Sequence, residues 1–575
     1  MSFYKLASLR PLQLANIGQV RKIPLRKFSE YLIRSSFTPV ESIRDISVSL
    51  PEYVMKNFTS EENRNRAAII DGSTGSSYTF QELFIATHTL AKHLSAIGVK
   101  KDTCVAIVSP NHLNYFAAFH ATGLNGAFST TLNPSYTVEE IKSAFEITKP
   151  SVVIYHKSIH ERIHAAVSVL GQTKLISMDE SFDSSIGIDD LIKPSKSTPL
   201  SEFKPFQPCA KPDDILTIPF SSGTTGKAKG VVLTHKNAIS NCIQGYDVEQ
   251  KYTIRGDGSF TTYMIPLPFF HIYGMGTGLC AIVANGGTVV TFPAFDFGTM
   301  LSNIQKYRIN RALLVPPIIL ALAKHPAVSQ FDLSSLESIN SGAAPLGADV
   351  QELCAKRLNC KVRQGWGMTE LSPVGTCQGD EGVIYGSSGV LVAETEAQIR
   401  DPITKEILPY WNEGELLIKG PQLMRGYYQN DEANASAFTA DGFFATGDIG
   451  RFDKESKHLF ITDRCKELIK YKGLQVPPAE LEAVIASIPD VVDVVVIPVP
   501  DEEAGEIPRA YVVKRENSSV TEQDIVTYVV AKVAPHKRLR GGVRFTDKIP
   551  KSASGKLLRR VQVQLDREAD QAGKK

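Results

Sequence analysis

Residues 221 to 230 read Ser-Ser-Gly-Thr-Thr-Gly-Lys-Ala-Lys-Gly, a loop of glycines and hydroxyls with a lysine near its end. Glycines let successive backbone N–H groups point into one concavity, and hydroxyls and Lys229 add donors and positive charge. That is the chemistry of a polyphosphate cradle, although such a loop taken alone also serves as a flexible turn. It is not a Walker loop, which counted from Gly223 would carry glycine at 228, where Ala228 stands.

The loop needs rigid flanks. The apolar run Ile215 to Phe220 precedes it, and a second strand-like run, Val231 to Thr234, follows. From about 38 to 465, short apolar runs alternate with helical patterns, which predicts parallel sheets covered by helices. Thr79-Phe-Gln-Glu82 opens a helix with a capping box, and its apolar positions continue at Leu83, Leu90 and Leu94. Cys104 to Val108, Ser151 to Tyr155 and Arg311 to Val315 read as buried strands. After Lys472-Gly473 the pattern becomes compact and separate. Pro478 suits the first turn of a helix through Ile488, Val491 to Ile497 pairs with Arg509 to Lys514, and Thr521-x-x-Asp524 starts another helix. The expected architecture is a large α/β N-terminal domain over 38–465 and a small α+β C-terminal domain over 467–565, joined by a hinge near Lys466.

Hydrophobic content of 43% and a charged fraction of 22% are globular values for this chain of 575 residues. A net charge of +2 supplies no global field for nucleic acid. Gly258 to Phe295 lacks Lys, Arg, Asp and Glu, but Pro266, Pro268, His271 and several glycines interrupt it. A membrane span needs about 20 uninterrupted apolar residues, so buried core segments are expected there instead. The eight cysteines show no CxxC pairing and read as scattered reduced thiols. Residues 1–28 carry Lys5, Arg10, Arg21, Lys22, Arg26 and Lys27 before the first acid, Glu30. Basic, serine-containing and acid-free, they read as a mitochondrial transit peptide, which places the protein in the matrix; an unstructured basic extension on a cytoplasmic protein is the alternative. The chain ends Ala-Gly-Lys-Lys and lacks the peroxisomal Ser-Lys-Leu address.

Further matches follow the glycine-rich loop in order: Ser341-Gly-Ala-Ala-Pro-Leu346, Gln364-Gly-Trp-Gly-Met-Thr-Glu370, Gly414-Glu-Leu416 with Gly420-Pro421, Thr446-Gly-Asp448, Asp463 to Gly473, and Pro550-Lys-Ser-Ala-Ser-Gly-Lys556. Together they resemble the adenylate-forming superfamily, whose members activate carboxylates as acyl-AMP, and most of all its 4-coumarate–CoA ligase-like branch. The resemblance spans 221–556 and implies the same two-domain split. It also implies an ATP- and Mg²⁺-dependent ligase that joins an aromatic or medium-chain carboxylic acid to coenzyme A. A luciferase-like or carrier-loading adenylating enzyme is the alternative.

The resemblance assigns roles residue by residue. Ser221, Ser222, Gly223, Thr224, Thr225 and Lys229 would hold the β- and γ-phosphates. Gln364, Gly365 and Trp366 would meet adenine, with tryptophan where relatives often have tyrosine. Thr369 and Glu370 would address the α-phosphate and Mg²⁺, glutamate being a hard oxygen ligand. Asp448, assisted by Arg464, would take the ribose hydroxyls. His271 would stand beside the substrate carboxylate, with Tyr273, Gly342, Ala343 and Ala344 lining the acyl site. Lys556 would bring its charge to the carboxylate and α-phosphate. Lys466, Lys470, Lys472 and Gly473 would serve the hinge and the thioester step, the glycine letting pantetheine pass.

Overall fold

The computed structural model describes residues 28–572 apart from 39, 184, 197, 222–227, 247, 249–251, 257, 473 and 553–554. Ser222, Gly223, Thr224, Thr225, Gly473 and the proposed leader up to residue 27 therefore lie outside the described residues.

Strands Cys104–Val108 and Phe128–Leu132 are buried along their whole length, as parallel strands covered on both faces must be. They form the middle of a sheet whose strands Ile215–Thr217, Phe128–Leu132, Cys104–Val108, Val152–Tyr155, Lys174–Ser177 and Ile186–Gly187 are parallel, with Lys229–Thr234 and Phe220–Ser221 added antiparallel beyond Ile215–Thr217. A second sheet has six parallel strands, Lys361–Gly367, Ser338–Ser341, Arg311–Leu314, Thr262–Met264, Thr288–Thr291 and Ala67–Asp71, edged by antiparallel Val374–Cys377 and Val390–Leu391 on one side and Ser77–Thr79 on the other. The helix Phe80–Ala96 begins at the predicted cap, where Thr79 and Glu82 exchange the hydrogen bonds of a capping box, and it buries Leu83, Leu90 and Leu94. The uncharged stretch 258–295 holds two of these strands and a helix, Tyr273–Ile282, wound with the wide π spacing. No helix among the described residues is long and apolar enough to cross a membrane.

The expectation of parallel, helix-covered strands fails at the edges of these two sheets and for a whole sheet from Glu396 onward. Glu396–Arg400, Gly414–Lys419, Phe444–Phe452 and Leu459–Arg464 form an antiparallel sheet joined by Ile33–Arg34. A parallel crossover needs about a dozen residues, and 453–458 leave room only for a turn.

The C-terminal part is built on the long antiparallel pair Val491–Asp501 and Gly505–Lys514, extended by Ile469–Tyr471, Leu474–Val476 and Val543–Phe545. Helices Pro478–Ala486 and Glu522–Val530 seal one face around Leu481, Ile485, Ile525 and Val529. The terminal helix Arg559–Ala572, which the sequence reading did not anticipate, covers the other; there Asp566 accepts from Arg509 (2.6 Å) and Tyr511 (2.5 Å). Lys324, at the end of helix Pro316–Lys324, reaches across from the large domain. Its ammonium donates to the carbonyls of Ala486, Ile488 and Val491 at 2.8 to 2.9 Å, the carbonyl-rich end of a helix. Burial lowers that ammonium to about 8.

Candidate active site

A cavity of about 1830 Å³ opens where the carboxyl ends of Ser338–Ser341 and Lys361–Gly367 meet the edge of the first sheet, the antiparallel sheet and the loop carrying Lys556. Ligands of α/β sheets bind at such strand ends. Ser221, Lys229, His271, Tyr273, Gly342, Ala343, Gly365, Trp366, Thr369, Glu370, Arg464, Lys466, Lys470 and Lys556 all border it. Gln364, Ala344, Asp448 and Lys472 do not.

The strands that flank the glycine-rich segment pair with each other. Phe220–Ser221 pairs antiparallel with Lys229–Thr234, setting Ser221 opposite Lys229 at the end next to that segment. Ser221 Oγ donates to Glu370 Oε1 at 3.0 Å, and Tyr427 Oη donates to the same oxygen at 3.0 Å. Burial, with Glu370 beside it, pushes the Tyr427 phenol far above its ordinary value, so it remains a donor. Lys229 Nζ lies 4.8 Å from the centre of the Tyr427 ring. The sequence reading missed Tyr427, because nothing local marks a tyrosine whose partner lies 57 positions away.

Residues 364–370 are mostly strand: Lys361–Gly367 continues the parallel sheet, and only Thr369–Leu371 turns. This separates neighbours that the motif grouped together. Gln364 is spent on structure, donating to Leu346 O (2.9 Å) and Gln351 Oε1 (2.7 Å) and accepting from Leu346 N (3.2 Å). It props the loop of the acyl site and does not border the cavity. Trp366 borders the cavity, and its indole N–H donates to Asp448 Oδ2 at 2.8 Å. Asp448 is a strand residue. It pairs in register with Arg464, whose Nε approaches Oδ1 at 3.3 Å. The carboxylate is thus held from both sides by two residues that border the cavity.

At the acyl end, the strand stops at Ser341, so Gly342 to Leu346 form a loop and not a strand. A Cβ on Gly342 would lie 2.7 Å from Tyr273 Cε1, so only glycine lets the ring lie against this backbone. Tyr273 Oη donates to Asn340 O at 3.3 Å. Ala343 takes a left-handed φ of 71°, and Ala344 turns out of the lining. His271 Nδ1 accepts from Tyr273 N at 3.3 Å. Burial, with Lys556 nearby, lowers this imidazole to about 4, so it is neutral at physiological pH.

Lys556 is the only lysine of the C-terminal set whose charge is enclosed. Its loop is braced by Ser552, whose N–H donates to Lys556 O (2.8 Å) and whose Oγ accepts from Lys556 N (3.1 Å). Gly555 has φ +78°, and a Cβ there would stand 2.9 Å from Val315 Cγ2 of the large domain, so glycine is required twice over. Burial and Arg464 lower the Lys556 ammonium to about 8, against the pull of Glu467, Asp448 and Glu370. Lys470 is exposed on its strand, and Lys472 pairs with Glu503 at 3.0 Å outside the cavity. Lys466 sits in the connecting turn after Arg464. That turn is tied to the C-terminal helix by Arg559, which donates to Glu467 and, at 2.6 Å, to Glu482. These are long-range contacts that no motif announced.

Comparison with known proteins places the arrangement in context. Residues 58–428 match the AMP-binding enzyme family, and residues 480–556 match the AMP-binding enzyme C-terminal domain. A probable 4-coumarate–CoA ligase 2 of Dictyostelium discoideum is 37% identical over 529 residues, covering 89% of this chain and 94% of the relative. The peroxisomal OPC-8:0-CoA ligase 1 of Arabidopsis thaliana is 36% identical over 543 residues, covering 92% and 95%. The anthranilate CoA ligase AuaEII, solved with anthranoyl-AMP, shares the fold at a TM-score of 0.81 and 21% identity, covering 91% of this chain and 98% of that one. ATP-bound MatB from Rhodopseudomonas palustris aligns at a TM-score of 0.77 and 25% identity, covering 90% and 99%.

Proposed function

This chain belongs to the AMP-binding enzyme family, and we infer that it is an AMP-forming acid–thiol ligase of the 4-coumarate–CoA ligase-like kind. A carboxylate attacks the α-phosphorus of ATP, giving acyl-AMP and pyrophosphate. The thiol of coenzyme A then attacks the acyl carbon, giving the thioester and AMP. The observation that carries this reading is the enclosure of Lys556 in one cavity with Ser221, Lys229, Glu370 and Arg464. Both half-reactions run between anions, so catalysis is largely positioning and charge neutralisation.

Ser221 and Lys229 hold phosphate oxygens where their strands pair, and Lys556 places its ammonium at the developing charge between carboxylate and α-phosphate. Asp448, fixed by Trp366 and Arg464, is oriented to accept from ribose hydroxyls. His271, being neutral, offers a hydrogen bond beside the carboxylate and repels no cation. The buried Glu370 carboxylate, with Thr369 next to it, fits a hard divalent cation. Those two residues would hold Mg²⁺, which when bound neutralises triphosphate charge. Glu370→Gln is expected to slow acyl-AMP formation about a hundredfold, near 3 kcal/mol.

The acid is of the flat aromatic or medium-chain class, a choice supported by Tyr273 lying against Gly342 and by the ligases named above. For thioester formation, the C-terminal domain over 467–565 turns about Lys466 and brings Lys470, Lys472 and Gly473 to the cavity. Residues 1–28 direct the chain to the mitochondrial matrix, a reading supported by their basic, acid-free composition. A fusion of residues 1–40 to a fluorescent protein tests it, and cytosolic fluorescence would refute it.

A panel of carboxylic acids, scored for pyrophosphate release with and without coenzyme A and for thioester product, tests the activity. Aromatic or medium-chain acids should give thioester that depends on both ATP and coenzyme A. Pyrophosphate release with no thioester from any acid would overturn ligation in favour of adenylation alone.

A further inference from the structure

We propose that His160, His164 and Asp183 form a binding site for a divalent transition-metal ion of the zinc class. The site stands at the far edge of the first parallel sheet, and none of the three residues borders the nucleotide cavity. His160 and His164 lie one turn apart on helix His160–Ala166, the i, i+4 spacing that puts two imidazoles on one helix face. Asp183 comes from the connection between the edge strands Lys174–Ser177 and Ile186–Gly187, where a left-handed φ of 52° turns the chain. One ligand atom from each of the three lies within 4.8 Å of the other two.

Two details favour an ion over a simple histidine–carboxylate pair. His160 Nε2 and Asp183 Oδ2 are 3.7 Å apart, too far for a hydrogen bond. Two ligands bound about 2.0–2.1 Å from a tetrahedral ion stand about 3.3 Å apart, so a small closure would seat one. The back of His160 is also braced. Its Nδ1 is 2.9 Å from the hydroxyl of buried Tyr155, which is itself 2.9 Å from Ser185 Oγ. With Nδ1 donating to Tyr155, the Nε2 lone pair faces Asp183, the outer-shell arrangement that orients metal-bound histidines. The edge of the Phe182 ring packs on His160 at 5.1 Å between centroids and limits its rotation. Two imidazoles and one carboxylate suit zinc and its neighbours better than Mg²⁺ or Ca²⁺, and three protein ligands leave one position for water. The ion would staple the connection over 178–185 to the helix that follows Val152–Tyr155, at the edge where the sheet has least support.

The neighbouring group His112, His156 and Asp179 provides an internal control. There both imidazoles converge on one oxygen, Asp179 Oδ1, at 3.3 and 3.6 Å. The test uses full-length protein stripped by a chelator and titrated with Zn²⁺ against a chromophoric competitor. Co²⁺ is titrated in parallel for the visible absorption of a tetrahedral site. One equivalent should bind, raise the unfolding temperature, and disappear in His164→Ala and Asp183→Ala. Tyr155→Phe should keep the stoichiometry but weaken binding about 10- to 100-fold. Because the site lies outside the cavity, His164→Ala and Asp183→Ala should keep ATP-dependent thioester formation, which also certifies their folding. The proposal is overturned if no stoichiometric binding occurs, if it survives both variants, or if it is lost in Asp179→Asn instead.

Discussion

Lys556 and Lys470 border the same cavity, yet one ammonium is enclosed and the other stands in solvent. The enclosed one arrives on a loop whose Gly555 fits against Val315, and its charge is met by Glu467, Asp448 and Glu370. In that drier setting a charge acts with far more force than one screened by water. Lys470 and Lys472 have no such setting, and Lys472 is occupied with Glu503 on the surface. The contrast teaches that this arrangement of the two domains suits acyl-AMP formation. In the proposed reaction the strand lysines serve the thioester step after the C-terminal domain turns, a conformational step of the kind that often limits turnover.

The strongest way to break this comparison is Lys556→Ala. Acyl-AMP formation should fall about a hundredfold or more, while supplied acyl-AMP and coenzyme A still give thioester at a near-normal rate. Lys470→Ala should do the reverse. Equal losses in both half-reactions for Lys556→Ala would end the division of labour.

The next test uses protons. With its pKa lowered to about 8, Lys556 is cationic below that pH and loses its charge as pH rises through it. Acyl-AMP formation should therefore drop about tenfold per pH unit above 8. Lys556→Arg, which stays protonated, should move that limb upward whatever its absolute rate. His271, lowered to about 4, should contribute no limb between pH 5 and 7.

Lys324→Met probes the docking itself. It removes three hydrogen bonds from a charged donor to carbonyls of the C-terminal domain, each contact of this class being worth about 1.5–3 kcal/mol. The closed arrangement should weaken, slowing acyl-AMP formation about tenfold and sparing thioester formation, as single-turnover measurements would show. The smallest effect is expected for Trp366→Phe, which keeps a ring but removes the N–H that holds Asp448. A loss of about 1 kcal/mol should raise KM for ATP roughly fivefold with kcat little changed.

Much of this was legible in the chain. The capping box at Thr79 and Glu82, the buried strand at Cys104–Val108 and the C-terminal strand pair each follow from local signals that the fold then honours. The antiparallel sheet from Glu396 was not legible, because apolar alternation reports burial and says nothing of strand direction. Gln364 shows the same limit at the scale of one residue. The motif marks it, but its side chain serves Leu346 and Gln351, partners that the fold brings to it from the loop after Ser341 and the helix Ala348–Leu358.

By itself, then, the sequence determined the chemical inventory and its order: a hydroxyl-rich loop, a glutamate, an aspartate, and a lysine near the end. Tertiary structure alone decided which of these meet. It set Tyr427 and Ser221 on one oxygen of Glu370, put the Trp366 indole against Asp448, and enclosed Lys556 while leaving Lys470 in water. Residue types and spacings are local properties of a chain, whereas burial, hydrogen-bond partnership and the electrostatic surroundings of a charge arise between segments far apart in sequence.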